Sequence, residues 1–171
     1  MTAGTRDAEF TEYVAANAEK VRFTAFLLCG DWHEAEDLAQ SALIRVYQAW
    51  SRIDRAEPID AYVKKAVVRT FLNSRRRLWR TVESLVGAVP EPPPSQAAGP
   101  EQRILVWSAL AEVPRRQRAA LVLRYWEDLS VAETAVVLGC SEGNVKSQCA
   151  RGLQTLRTVL ADQHDRVKGG I

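Results

Sequence analysis

A proline-rich stretch near the middle of the chain constrains the fold more than any other feature of the sequence. Residues 87–102 read GAVPEPPPSQAAGPEQ and contain five prolines. Proline removes a backbone donor and cannot continue a helix, so this composition predicts an extended linker. We therefore expect one folded unit at 1–80, a linker at 81–101, a second folded unit at 102–163 and a tail at 164–171.

Both segments beside the linker show helical periodicity, and no stretch alternates polar and apolar residues as a strand does. The sequence therefore predicts an all-α fold of two small helical domains. Before the linker we expect three helices: one over about 6–29, one capped by Asp31 and one capped by Asp60. The second helix has the clearest 3-4 apolar repeat, formed by Ala35, Leu38, Ala39, Ala42, Leu43, Val46, Tyr47 and Trp50.

After the linker, helices are expected near 102–113 and 115–127, followed by two shorter signals. Ser130 and Glu133 have the spacing of a capping box, and Gly139 is suited to end the helix that they begin. Ser141 then begins another helix, whose inward stripe is Val145, Cys149, Leu153, Leu156 and Leu160. Two capped helices joined by a short glycine-containing turn predict a helix-turn-helix.

The second helix of such a motif enters the major groove of DNA with its polar face. Here the residues that face away from the core stripe are Asn144, Lys146, Ser147, Gln148, Ala150 and Arg151. Upstream arginines are expected to contact phosphates and position this helix: Arg115, Arg116, Arg118 and Arg124. A helical hairpin that packs only against protein is the alternative.

Charge is distributed unevenly along a chain whose formal net charge is only +2. Segment 64–80 contains seven basic residues and no acidic one: Lys64, Lys65, Arg69, Arg75, Arg76, Arg77 and Arg80. Tyr62 precedes this run and Trp79 lies near its end, and basic groups beside aromatic rings suit single-stranded or melting DNA. An ordinary solvated surface is the alternative interpretation. Glu34, Glu36, Asp37 and Gln40 form an acidic face on the second helix, which suits a protein partner better than DNA.

Several classes of function find no support in the sequence. The three cysteines and two histidines are too widely spaced to predict a disulfide framework or a metal site. No nucleophile–base set or phosphate-binding glycine loop is present, so we expect no enzyme activity, no cofactor and no small-molecule substrate. No apolar run has the length of a membrane span and no signal pattern begins the chain, so we expect a cytoplasmic protein.

Three stretches resemble a known family. GDWHEAEDLAQSALIRVYQAW at 30–50 resembles the helix with which sigma-70-type factors bind core RNA polymerase. AYVKKAVVRTFLNSRRRLW at 61–79 is similar to their helix for the promoter −10 element, and 109–157 resembles their −35-reading domain. The order and spacing resemble the extracytoplasmic-function group, in an actinobacterial-looking branch. The resemblance implies an alternative sigma factor that directs core polymerase to −10/−35 promoters and assists promoter melting.

The resemblance also implies roles for individual residues. Glu36, Asp37 and Gln40 would bind the clamp helices of the polymerase, and the second domain would touch its flap. The loop 51–59 would capture a flipped −10 base, and the linker would thread toward the active site. The −10 contacts would come from Arg55, Tyr62, Lys65, Arg69, Asn73 and Arg76, and the −35 contacts from Arg124, Asn144, Lys146, Ser147, Gln148 and Arg151.

Two positions depart from the family pattern, and two other functions stay open. Many members of the group carry Asn where this chain has Arg69, and Arg where it has Gln148, which affects promoter preference. A helix-turn-helix regulator that binds DNA alone, with 1–80 as a sensing or dimerisation domain, would explain the second half equally well. An interaction adaptor such as an anti-sigma antagonist is the other alternative. Whether an anti-sigma factor is a partner also stays open.

Overall fold

A computed structural model describes residues 3–53, 57–74 and 99–169 of the protein. The chain divides into two compact units, one within residues 1–90 and one within 91–171. All regular structure in the described residues is helical, which confirms the predicted all-α fold class. Residues 75–98, which include most of the predicted linker and Arg75, Arg76, Arg77, Trp79 and Arg80, lie outside the described residues, as does Arg55.

The first unit contains three helices: α1 (Ala3–Cys29), α2 (Trp32–Ala49) and α3 (Ile59–Asn73), with a short 3-10 turn at Trp50–Arg52. Asp31 caps α2 as predicted, because its carboxylate accepts a hydrogen bond from the Glu34 amide at 2.9 Å. The prediction that Asp60 caps α3 was wrong. The helix begins at Ile59, two residues earlier than such a cap would place it, with Pro58 at the cap position. The Asp60 carboxylate therefore lies in the first turn and is available for a tertiary contact.

The core of the first unit follows the predicted apolar pattern of α2. Its buried residues are Ala35, Leu38, Ala39, Ala42 and Val46. Three of these five are alanines, so α1 and α3 can approach α2 closely. Opposite them lie buried residues of the other two helices: Val21, Phe23, Ala25, Leu27 and Leu28 from α1, and Val63, Val67, Val68 and Phe71 from α3. Trp50 closes one end of this core and is only 2% exposed.

The second unit contains α4 (Pro100–Ala111), α5 (Arg115–Leu121), a π-helical turn at Val122–Trp126, α6 (Val131–Leu138) and α7 (Glu142–Gly169). Two of these elements differ from the prediction. The single helix expected over 115–127 changes to π geometry halfway, and α7 continues through most of the segment that was expected to be a tail. The apolar stripe that predicted this helix ends at Leu160. The sequence therefore did not predict the polar helical turns that follow.

The predicted helix-turn-helix is confirmed in its local chemistry. Ser130 and Glu133 form a reciprocal capping box. The Ser130 hydroxyl accepts from the Glu133 amide at 3.1 Å, and the Glu133 carboxylate accepts from the Ser130 amide at 2.7 Å. Gly139 ends α6 with φ of 64°, a conformation that glycine adopts without strain. The Ser141 hydroxyl accepts a hydrogen bond from the Asn144 amide at 3.1 Å and so caps α7.

A glycine allows α5 and α7 to pack closely in this unit. Gly152 is buried in the middle of α7, where glycine costs about 1 kcal/mol relative to alanine. A Cβ atom there would lie 3.0 Å from Leu121 Cδ1 and 3.3 Å from Gln117 Cβ, both on α5. The close approach of the two helices explains why glycine occupies this position.

Arg118 has a structural role that differs from the predicted one. Its side chain is only 9% exposed, so it is not placed to contact a phosphate. Instead Nη2 donates to the carbonyls of Ala111 and Val113 at 2.7 and 2.8 Å, and Nε donates to Val113 at 3.1 Å. The Ala111 carbonyl belongs to the last residue of α4 and the Val113 carbonyl lies just beyond it, where no further helical amides are available to them. Arg118, which lies on α5, therefore caps the C-terminal end of α4.

We expect Arg118→Met to lower the free energy of unfolding of the second unit by about 2–4 kcal/mol, because it leaves buried carbonyls without a donor. Native-state hydrogen exchange of α4 and α5 amides in the full chain measures the change. Arg157→Met, at an exposed position on α7, is the matched control and should change little. Equal protection in both variants would contradict the role of Arg118.

Candidate nucleic-acid and polymerase interface

The first half of α7 presents a polar surface on one side and the core on the other. Val145 is fully buried and Cys149 is 8% exposed, which confirms their prediction as core residues. The residues predicted to read DNA lie on the open side: Asn144, Lys146, Ser147 and Arg151 are exposed, and Gln148 is half-buried. Burial raises the pKa of the Cys149 thiol, although the charge of Arg124 opposes this shift, so the thiol is protonated at neutral pH.

The upstream arginines differ in how far they are available for DNA. Arg116 is exposed and donates a long hydrogen bond of 3.4 Å to the Leu138 carbonyl. Arg124 is half-buried and donates through Nη1 to the Leu129 carbonyl, just before the capping box of α6. Its guanidinium carbon also lies 6.0 Å from the centre of the Tyr125 ring. Arg124 therefore supports the loop that leads into the helix-turn-helix, in addition to the predicted contact with DNA.

Four of the six residues predicted for the −10 element share one side of α3. Tyr62, Lys65, Arg69 and Asn73 are spaced so that they follow one another along the helix, and none belongs to its buried set. Arg69 and Asn73 are exposed, whereas Tyr62 and Lys65 are half-buried. The arrangement is a polar strip with two basic groups, one amide and one aromatic ring. Such a set can bind phosphates and stack on a base.

The acidic face of α2 is partly open to solvent, and Glu36 within it is paired with an arginine. Glu36 forms an ion pair with Arg22 of α1, and the Arg22 guanidinium also lies 4.6 Å from the centre of the Trp32 ring. Asp37 and Gln40 are exposed. The pairing with Arg22 reduces the charge that Glu36 can offer to a partner.

One contact near the α2–α3 connection was not predicted. The Tyr13 hydroxyl of α1 donates to the Asp60 carboxylate at 2.8 Å, and the Tyr13 ring lies 5.8 Å from the Trp50 ring. In the sequence, Tyr13 is an aromatic residue within the helix predicted over about 6–29. Its partner lies 47 residues away, and no local spacing rule indicates such a pairing.

The described residues were also compared with the requirements of a metal site and of a membrane-spanning helix. Across residues 3–53, 57–74 and 99–169, His, Cys, Asp and Glu side chains nowhere gather in threes as a metal site would require. No helix within those ranges is long and apolar enough to cross a membrane.

Comparison with known proteins places both units in one family. Residues 13–81 match the family described as Sigma-70 region 2, and residues 103–156 match Sigma-70, region 4. The RNA polymerase sigma-E factor of Streptomyces coelicolor is 36% identical over 156 residues, covering 89% of this chain and 86% of that protein. The ECF RNA polymerase sigma factor SigL of Mycobacterium tuberculosis is 31% identical over 145 residues, covering 81% of each.

A solved structure agrees with the fold. The sigma factor RpoE of Bartonella quintana, solved in complex with the anti-sigma factor NepR, matches with a TM-score of 0.69 at 21% identity. The match covers 90% of this chain and 97% of that one. The predicted resemblance is therefore confirmed: this chain belongs to the sigma-70 family of RNA polymerase sigma factors, in its extracytoplasmic-function group.

Proposed function

We propose that this protein is an alternative sigma factor that binds core RNA polymerase, directs it to −10/−35 promoters and assists promoter melting. The observation that carries the proposal is the presence of regions 2 and 4, in that order, each with a solvent-facing polar surface. Its action is binding and melting without bond chemistry, so no enzyme activity and no cofactor belong to it. Because it acts on the transcription machinery, its place of work is the cytoplasm.

In the second unit, the open side of α7 reads the −35 element. Lys146 and Arg151 donate to guanine or to phosphate, and Gln148 is able to bond adenine through both amide atoms. Asn144 and Ser147 complete the polar side of the helix, and Arg124, from the π-helical turn Val122–Trp126, supplies a further contact with DNA. Arg116, exposed at the start of α5, is available for a phosphate contact that positions the helix. Arg118 has no part in this surface.

In the first unit, the strip of Tyr62, Lys65, Arg69 and Asn73 on α3 holds the opened −10 strand. Arg55 and Arg76 extend the same role by family resemblance. Basic groups neutralise the backbone phosphates, and the aromatic ring offers a stacking surface to an unpaired base. The acidic face of α2, with Asp37 and Gln40 exposed and Glu36 paired, binds the clamp helices of the polymerase.

An apolar groove in the second unit suits contact with the polymerase flap. Leu105, Val106 and Val167 line it and are 41%, 41% and 69% exposed, and Leu160 lies beside them between α4 and α7. Scattered exposed apolar residues are common, but neighbouring ones that line one groove mark a protein contact. An anti-sigma factor is a further proposed partner, because the B. quintana relative was solved with one.

The first test is transcription in vitro from fragmented genomic DNA, using sigma-free core polymerase with and without this protein. Discrete start sites that require the protein would establish the function and reveal the −10 and −35 sequences. A core enzyme that responds to a control sigma factor but not to this protein would contradict the proposal. Tight binding to duplex DNA without polymerase would then support a regulator that acts alone.

We expect Lys146→Ala and Arg151→Ala each to reduce promoter-directed initiation about tenfold, because each removes one donor from the −35 surface. Binding to core polymerase should stay near normal. Run-off transcription and a core-binding titration measure the two quantities. Arg157→Ala, exposed farther along α7, is the control. Loss of core binding by a folded variant would contradict the assignment.

Asp37→Arg should have the opposite pattern, weakening the binding of core polymerase about tenfold by replacing an acidic group with a basic one at the docking face. Affinity for core polymerase is measured with labelled protein at several salt concentrations. Glu12→Arg makes the same charge change at an exposed position of α1 and is the matched control. Unchanged affinity in Asp37→Arg would remove the docking proposal.

A further inference from the structure

The first turns of α4 lie beside the last turns of α7, and the apolar side chains of these two segments are exposed. Ile104, Leu105 and Val106 follow one another on α4 and are 51%, 41% and 41% exposed. Successive helical residues point about 100° apart, so these three cover about 200° of the helix, more than one neighbouring helix can bury. Val167 of α7 lines the same groove and is 69% exposed.

These residues form a patch and are not scattered over the surface. The described residues include seven large apolar side chains that are exposed, and four of the seven belong to these two short segments. Single exposed apolar residues are common on any protein, whereas neighbouring ones mark a surface that another molecule covers.

The spacing along α7 is that of a helix that packs against other helices. Leu153, Leu156, Leu160, Gln163 and Val167 follow one another at alternating intervals of three and four residues. The last three lie beyond residue 156, where the family match ends. The packing stripe of α7 therefore continues past the region that identifies the family, to a position where Val167 is exposed.

Gln163 indicates the chemistry of what covers the groove. Its Nε2 donates to the Ser108 hydroxyl at 3.3 Å, whereas its Oε1 is covered and accepts no hydrogen bond from the described residues. A covered acceptor without a donor is unfavourable, and an occupant that supplies a donor removes this penalty. A glutamine amide carries both a donor and an acceptor, and the groove is itself lined by Gln102 and Gln163. A second copy of this chain therefore brings amide donors of the required kind.

The charges of the two segments are balanced, which also favours a second copy. Residues 101–108 and 160–168 carry three acidic and three basic side chains: Glu101, Asp162 and Asp165, and Arg103, Arg166 and Lys168. A surface with balanced charge does not repel a copy of itself. It also lacks the excess of basic groups that binding to nucleic acid requires.

We infer that the groove between α4 and α7 is a self-association surface. A second copy of the chain packs its own α4 and α7 against it, so that two helix pairs complete one four-helix bundle around a shared apolar core. The same patch is used by both copies, as in other two-fold dimers. The dimer itself does not depend on the sigma-factor function.

The consequence of the dimer does rest on the proposed function. The same groove is proposed above to contact the polymerase flap, so self-association and this contact exclude each other. The dimer is therefore the form of the protein without polymerase, and core polymerase dissociates it. Because each copy contributes only a few helical turns, the dimer is weak and polymerase is able to compete with it.

The test is analytical ultracentrifugation of the full chain alone, at concentrations from about 1 μM to about 1 mM. A thiol reductant is present so that the free cysteines do not cross-link the chains. We expect a reversible monomer–dimer equilibrium. Adding core polymerase should convert the dimer into a complex that contains one copy of the chain.

Val167→Glu should raise the dissociation constant of the dimer at least about tenfold, because it places an unpaired carboxylate in the apolar interface. Val167 is 69% exposed, so the folded monomer tolerates the change. Leu105→Glu makes the corresponding change on α4 and should have the same effect. Circular dichroism confirms that both variants keep their helical content.

Val136→Glu is the matched control. Val136 is 64% exposed on α6 of the same unit, so this variant makes the same chemical change outside the groove. It should leave the dissociation constant of the dimer unchanged.

The possible results separate the inference from the proposed function, since association is measured without polymerase or promoter DNA. A dimer weakened by Val167→Glu and Leu105→Glu but not by Val136→Glu would establish the surface. A dimer that persists in both groove variants would place self-association elsewhere and overturn the inference. A wild-type chain that is monomeric throughout would also overturn it, and weaker core binding by the groove variants would then assign the groove to the flap alone.

Discussion

The ends of the helices are the constraint on which the rest of this structure depends. In the described residues every regular element is helical, so each terminus leaves amides or carbonyls that require a partner from elsewhere. The chain meets this requirement with Asp31 at α2, with Ser130 and Ser141 in the helix-turn-helix, and with Arg118 at the end of α4. These contacts fix where each helix begins and ends. They therefore help to determine which residues of the helix are exposed.

The features that could be predicted are those encoded within a few residues. The capping box of Ser130 and Glu133, the glycine that ends α6 and the buried stripe of α2 each follow from spacing along one element. The polar side of α7 was predictable for the same reason, since its exposed residues follow from the helical spacing. Arg118 and Asp60 were misassigned because their partners belong to other helices or turns. A charged side chain that looks available for a partner in the sequence can be hydrogen-bonded to a distant carbonyl or hydroxyl in the fold.

Charge in this protein divides between structure and recognition, and the division is not visible in the net value of +2. Arg22 and Glu36 pair with each other across α1 and α2, and Arg118 is buried against carbonyls. The exposed groups include Asp37 on α2, Arg69 on α3, and Lys146 and Arg151 on α7. Each surface therefore depends on a few residues, and single charge changes there should have larger effects than their number suggests.

Gly152 has a consequence for how such a protein diversifies. It lies one residue after Arg151, at the point where α7 presses on Leu121, so everything before it in α7 faces outward or into a small local core. Under the proposed function, the residues that read DNA lie just before this contact between α5 and α7. Substitutions at the exposed positions of segment 142–151 would then change promoter preference without disturbing the packing at Gly152.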